Sequence, residues 1–535
     1  MTRRDMLRLA AAGVGTIAGM ACGGSEPDKS HPPTLPAFEW ESATIDDLRE
    51  AIRSSRTTVA SLTQAFLDRI AAIDENGPSL NAIIELNPDA GSNARELNIK
   101  RHAGVPLGRL HGLPILIKDN LDTHDRMTTS AGSLALAGSI APSDCFVVRQ
   151  LRRAGAVIIG KTNLSEWANF RGEASTSGWS GRGGLTRNPY ALDRNPSGSS
   201  SGSAVAAAAS LCAAAIGTET DGSIISPSSV CGVVGIKPTV GLVSRSGIIP
   251  ISQSQDTPGP IARSVTDAAI LLGAIAGIDP ADAATEQSRG KLHDDYTRFL
   301  APDGMRGARI GVARRFFAAG SNAAPVLEAA LRVLKDQGAT LIDPVDIPSL
   351  DKLGDSETEV LLYEFKAGLN GYLATLGPQA PVKSLADIID FNRRNGAREL
   401  EYFGQELMIR AQAKGPLTEP PYLDALEQCR RLTRAEGIDA TMDNSRLDAI
   451  VAPSGGPAGK TDLLHGDRDI GGSSGPAAIA GYPNITVPAG QVMGLPVGLC
   501  FFGRAFSEPV LLKLAFAFEQ ATGAFKPPRF LETVG

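Results

Sequence analysis

Apolar positions along this chain follow two periods. Ile45, Leu48 and Ile52 return every three to four residues, Ser42-Ala-Thr offers a cap before them, and Asp46 and Asp47 put acids in the first turn, so the pattern predicts a helix. Residues 59–73 repeat that period. Short β-branched runs at 113–117, 156–159, 309–313, 340–342 and 449–452 instead predict buried strands, and helical or turn-rich stretches separate each from the next. Such alternation predicts an α/β fold. No repeat of fixed period occurs and no long linker interrupts the chain after residue 40, so residues 41–535 are expected to form one large domain. Residues 350–434 read as helix-rich and more charged, either a cap over a pocket or plain surface.

Residues 1–21 stand apart from that domain. Arg3, Arg4 and Arg8 precede an Ala/Gly-rich apolar run over 9–21, the pattern of a bacterial export signal, and the paired arginines resemble a twin-arginine signal. That run is too short to span a bilayer comfortably. Cleavage after Ala21 would leave Cys22 first, where lipid attachment would tether the chain to a membrane, although Gly19 stands where lipoprotein signals usually carry Leu. Residues 22–40 form a Pro/Ser-rich polar tether. The expected location is therefore the periplasm or cell envelope of a bacterium, reached through export machinery; the alternative is a frayed terminus with chance arginines.

Charge and composition narrow the function classes. With 52 basic against 58 acidic residues the formal charge is −6, which supplies no footprint for phosphate backbones, and no nucleic acid is expected as a partner. A hydrophobic content of 42% excludes wholesale disorder. The 58 glycines and 35 prolines point to tight turns and close backbone approaches rather than a helical bundle. Cys145, Cys212, Cys231, Cys429 and Cys500 are dispersed through apolar stretches without C-x-x-C spacing and read as buried small hydrophobes. His102, His111, His124, His293 and His465 lack metal-ligand spacing, so no metal or other cofactor is implied.

Candidate chemistry concentrates between residues 112 and 250. Asn195-Pro-Ser-Gly-Ser-Ser-Ser-Gly-Ser leads into residues 204–215, almost all helix formers, so a loop is expected to feed a helix whose free amides favour negative charge. Gly217-Thr-Glu-Thr-Asp-Gly-Ser is a second backbone-rich turn. Lys118 ends the apolar run at 113–117, where desolvation disfavours the ammonium and leaves an amine able to accept a proton. The same position also fits a strand end reaching solvent.

Pro196-Ser-Gly-Ser-Ser-Ser-Gly-Ser-Ala, Gly217-Thr-Glu-Thr-Asp-Gly-Ser-Ile and Gly232-Val-Val-Gly-Ile-Lys-Pro-Thr-Val-Gly resemble the Gly/Ser-rich signature of the amidase-signature family. His111-Gly-Leu-Pro-Ile-Leu-Ile-Lys-Asp-Asn, Gly160-Lys-Thr-Asn-Leu-Ser-Glu-Trp-Ala-Asn and Gly481-Tyr-Pro-Asn-Ile-Thr-Val-Pro-Ala-Gly extend the likeness over about residues 42–525, strongest at 105–260 and vaguest at 280–440. The Ser-Glu-Trp-Ala-Asn segment and the Glu-Thr-Asp turn are most similar to peptide-amidase-like members. This resemblance implies a large mixed β-sheet covered by helices on both faces, and an amidase acting on a linear carboxamide or a peptide C-terminal amide. It implies a triad of Lys118, a bridging Ser199 preceded by a cis peptide, and the nucleophile Ser223, with Ser200 as a supporting hydroxyl. It further implies an oxyanion hole of backbone amides from Thr220, Asp221, Gly222 and Ser223. Glu219 stands where the family often has Asp, Asp221 where it often has Gly, and Ile225 where it often has Arg, so substrate preferences tied to that Arg do not transfer. Lys161 and Lys237 lie in similar motifs and read as packing or hydrogen-bonding groups within turns.

Two rival readings use the same residues. Gly198-Ser-Ser-Ser-Gly also fits the G-x-S-x-G elbow of an α/β-hydrolase esterase with Ser200 as nucleophile and His293 or His465 as base, but a turn-rich loop, not an apolar strand, precedes it. The other is an exported binding protein without chemistry, against which all three triad positions are intact. An amidotransferase component for charged tRNA, from the same family, fits neither the export signal nor the acidic balance.

Overall fold

The computed structural model describes residue 33 and residues 35–534 except 319; the expected export signal over 1–21 and Cys22 lie outside the described residues. Its strands are β1 (Ile83–Leu86), β2 (Pro114–Lys118), β3 (Val157–Thr162), a small ladder of β4 (Trp179–Ser180) and β5 (Gly184–Leu185), β6 (Ala214–Glu219), β7 (Val234–Lys237), β8 (Thr257–Ala262), β9 (Arg309–Ala313), β10 (Thr340–Val345), β11 (Ala449–Gly455), β12 (Asn484–Val492) and β13 (Leu495–Phe502). Eleven of them form one sheet in the order β1-β3-β2-β6-β8-β7-β12-β13-β11-β9-β10. β2 runs parallel to both β3 and β6, whereas β6–β8, β7–β12 and β12–β13 are antiparallel, so the sheet is mixed and helices flank it, as expected.

β2 is buried along its whole length, which is why Pro-Ile-Leu-Ile-Lys reads as a continuous apolar run rather than an alternating one. The expected runs at 113–117, 156–159, 309–313, 340–342 and 449–452 fall on β2, β3, β9, β10 and β11. The first expected helix spans Ile45–Arg53, closed by a capping box between Thr44 and Asp47. The second spans Val59–Ile70 and continues as a wider turn over Ala71–Glu75. The five cysteines are buried and unpaired.

One expectation fails: residues 204–215 are not one helix. The helix is Ser201–Ala208, Ser210 takes φ +57°, and Ala214 already begins β6. Helix propensity loses there to the sheet, because residues 214–216 pair with β2 on one side and 215–219 with β8 on the other. The small residues of the helix have a packing reason. A Cβ on Gly202 would lie 2.2 Å from the Ala82 carbonyl oxygen, so this turn presses directly on neighbouring backbone and no side chain fits. β8 is hidden in the sequence by Pro258 and Pro260. β7 pairs only with Ile261 and Ala262, so the stretch holding both prolines carries a ladder on one side alone.

The region 350–434 is helical, and its longest helix, Ser356–Thr375, buries Phe365, Leu369 and Leu373 in a second apolar cluster with Trp167 and Phe170. Its Gly368, Gly371, Tyr372 and Thr375 line a cavity of about 290 Å³ together with Asn120, Thr218 and Thr220. Of the two expectations for this region, the cap is the one that fits this helix.

Candidate active site

β2 and β6 run side by side in the same direction, so Lys118 at the end of one and Thr218 at the end of the other emerge together. Lys118 has no exposed surface, and its Nζ lies 2.7 Å from Ser199 Oγ, 3.1 Å from Ser200 Oγ, 3.0 Å from Thr218 Oγ1 and 3.2 Å from the Thr218 carbonyl oxygen. Burial pushes this amine down to about 7, against the pull of Asp256 and Glu219. The strand-end reading is thereby excluded, since the lysine ends in a ring of oxygens rather than in water.

The Gly/Ser loop supplies two of those oxygens. The Gly198–Ser199 peptide is cis. The Ser200 hydroxyl donates to the Thr218 carbonyl (3.0 Å) and accepts the Thr218 N–H (3.2 Å), tying the loop to β6. Ser200 N–H donates to the carbonyl of Ser223 (3.1 Å), which joins the loop to the following turn. Among the described residues no hydrogen bond joins the Ser199 and Ser223 hydroxyls. The structure thus brings Lys118, Ser199 and Ser200 into contact and sets Ser223 alongside through its backbone.

The turn at 220–223 is shaped by Glu219. Its Oε2 accepts the N–H groups of Ile224 (2.7 Å) and Ile225 (2.9 Å), and Gly222 takes φ +77°, a left-handed conformation that suits glycine. Among the described residues the N–H groups of residues 220–223 donate to no protein acceptor. Unpaired amides beside a serine are donors available to a developing oxyanion. Buried Lys237, pushed down to about 8 by burial, lies within Coulombic reach of Glu219, Asp221 and Glu508.

Several neighbours escaped the sequence reading. Asn120 Nδ2 donates to Thr218 Oγ1 (3.0 Å), and Asp256 accepts from the Thr220 hydroxyl (2.6 Å) and from the N–H groups of Ile251 and Ser252. Gln255 Nε2 donates to Glu357 (2.9 Å), and burial together with Asp221 pushes the Glu357 carboxyl up to about 8. Thr218 and Asn120 stand inside the quoted motifs and could have been singled out; Asp256, Gln255 and Glu357 lie where no motif marks them. His293 and His465 bond to Arg298 and Asp462, not to Ser200.

Sheet topology and the buried lysine–serine cluster define an α/β scaffold built around one amine and a ring of hydroxyls. The family model described as Amidase matches residues 61–512, and the chain belongs to the amidase family. It is 43% identical to a probable amidase of Arabidopsis thaliana over 92% of this chain and 93% of that one. It is 35% identical to one component of the glutamyl-tRNA(Gln) amidotransferase of Thermosynechococcus vestitus over 89% and 96% of the two chains. Among solved structures, the peptide amidase of Stenotrophomonas maltophilia superposes with a TM-score of 0.88 at 51% identity, covering 92% of this chain and all of that one. A peptide amidase in complex with the competitive inhibitor chymostatin gives 0.89 at 52% over the same shares. The protein is an amidase-family hydrolase.

Proposed function

We propose that this enzyme hydrolyses a linear carboxamide, in particular the C-terminal amide of a peptide, through an acyl-enzyme on Ser223. The carrying observation is the 2.7 Å contact between the buried Lys118 amine and Ser199. Neutral Lys118 takes the Ser199 proton as Ser199 takes that of Ser223, a relay that closes when the Ser223 side chain turns toward Ser199. Ser223 Oγ then bonds to the amide carbon, and the carbonyl oxygen becomes an oxyanion facing the free N–H groups of residues 220–223. The relay returns the proton to nitrogen, the C–N bond breaks, and ammonia or an amine leaves. Water attacks the ester, the carbon–Ser223 bond breaks, and the acid departs with Ser223 reprotonated. The likeness to peptide amidases supports the peptide-amide class. Ammonia release from a panel of acyl amides and C-terminally amidated peptides tests it, with Ser223→Ala and Lys118→Ala as controls; full turnover by either variant overturns the mechanism, and release from no amide overturns the function.

Arg3 and Arg4 support export by a twin-arginine route and a periplasmic location, with Cys22 as the candidate lipid anchor. Cell fractionation after replacing both arginines by lysine tests this: retention of the full-length chain in the cytoplasm is expected, and unaltered export overturns it.

A further inference from the structure

We propose that Glu219 is a positioning residue for catalysis, holding the oxyanion turn open by taking the two amides that would otherwise compete for its shape. This inference rests on the amidase mechanism above and concerns a side chain to which that mechanism gives no role.

The turn must reverse the chain between β6 and the helix Ile225–Val230 while keeping four consecutive N–H groups unpaired. Unpaired backbone donors are costly, and a chain left to itself folds them onto nearby carbonyls. Glu219 prevents this from one end of the turn to the other. Its backbone ends β6, its Oε2 takes the N–H groups of Ile224 and Ile225, and the loop so closed contains Thr220, Asp221, Gly222 and Ser223. One carboxylate oxygen fixes both sides of Ser223.

The geometry calls for an acceptor oxygen at this place. Glu219 is 1% exposed, and among the described residues its Oε1 has no protein hydrogen-bond partner. Burial pushes this carboxyl up, and fully buried Lys237 on β7 opposes that with the opposite charge. Among the described residues the Lys237 side chain donates only to the Pro238 carbonyl (3.2 Å), and it acts on Glu219 and Glu508 through space.

The test compares Glu219→Leu and Glu219→Gln with the wild type on one amide substrate, with active sites counted by titration with a serine-reactive phosphonate. Leu keeps the bulk and loses both acceptor oxygens; Gln keeps one. Expected for Glu219→Leu is a fall in kcat per titrated site of about 100-fold, the effect of losing one oxyanion donor, with KM within threefold. Affinity for a peptide aldehyde, which forms a tetrahedral adduct, is expected to fall alongside kcat. Glu219→Gln is expected to recover to within tenfold of the wild type. Equal impairment of Leu and Gln, a loss confined to KM, or unchanged kcat per titrated site in both variants would overturn the positioning role. Should Glu219→Leu fail to fold, Glu219→Gln decides: the role requires a measurable kcat loss with KM held. A wild type that releases no ammonia from any amide would strike the amidase reading instead.

Discussion

Lys118 Nζ sits 2.7 Å from Ser199 Oγ, at the end of a strand that is buried throughout. Desolvation there pushes the amine down to about 7, so it is an ammonium below that pH and a free base above it. An ammonium cannot take the Ser199 proton. The expected outcome is therefore kcat/KM rising with pH through a midpoint near 7, tenfold per unit on the acid side, measured on an uncharged amide. A profile flat from pH 5.5 to 8 would refute the assignment of base.

The three serines have unequal partners and should fail unequally. In the proposed mechanism Ser223→Ala removes the attacking oxygen and should abolish turnover, whereas Ser199→Ala breaks the proton path and should lower kcat by about 10²–10⁴. Ser200→Ala removes the hydroxyl bridge to Thr218 and leaves the path intact, so a smaller loss is expected. Mass spectrometry of a phosphonate-inhibited enzyme should place the adduct on Ser223; an adduct on Ser200 would restore the esterase-elbow reading.

What the sequence disclosed and what it hid follow from the range of the interactions. The Gly/Ser loop around Ser199 is legible because a chain pressed onto backbone, as at Gly202, tolerates only small residues and leaves a recognisable run, and Lys118 is legible as the one charge of the buried apolar strand β2, at its end. Strands β2, β3, β9 and β11 are legible because burial on both faces makes them continuously apolar, whereas the edge strand β10, largely exposed, shows only through its Leu341-Ile342 pair. Residues 204–215 mislead because alanine's helix propensity is overridden from Ala214 onward by pairing with β2 and β8. Strand β8 is hidden by prolines tolerated beside a one-sided ladder. Gln255, Asp256 and Glu357 reach the site from loops and a helix far along the chain, and nothing local marks such an approach.

Arg171 ties the Ser-Glu-Trp-Ala-Asn segment to the helical region and should be a stability hot spot. Its guanidinium is fully buried, pairs with Glu166 at 2.9 Å, donates to the carbonyls of Glu399 and Phe403, and lies 4.0 Å over the Phe403 ring. Arg171→Met leaves two buried carboxyl groups, Glu166 and Glu399, without their cation. A loss of about 3–5 kcal/mol is expected in denaturant unfolding, as for removal of one partner from a buried pair. A loss under about 1 kcal/mol would mean that the network contributes little.

Glu357 reaches Asp221 from the first turn of Ser356–Thr375, and burial with that neighbouring carboxylate pushes it up to about 8. Below this pH it carries a proton, and its acid O–H can bridge to Asp221, which also faces Ser474 and Lys237. Above it, Glu357 becomes an anion near the N–H groups that would receive an oxyanion, and its field opposes the charge of the tetrahedral intermediate. Activity should accordingly fall above about pH 8, which with the Lys118 limb gives a narrow bell. Glu357→Gln keeps a permanent N–H donor and should flatten the alkaline limb while leaving the acid limb near 7. Linkage gives an independent check on the same proton. Between the ordinary Glu value of about 4.5 and about 8 the folded chain holds a proton that the unfolded chain has lost, so this group's contribution to stability declines as pH rises across that window. Denaturation of the wild type and of Glu357→Gln across pH 5–9 should show the difference in slope; parallel curves in both stability and activity would rule the shared proton out.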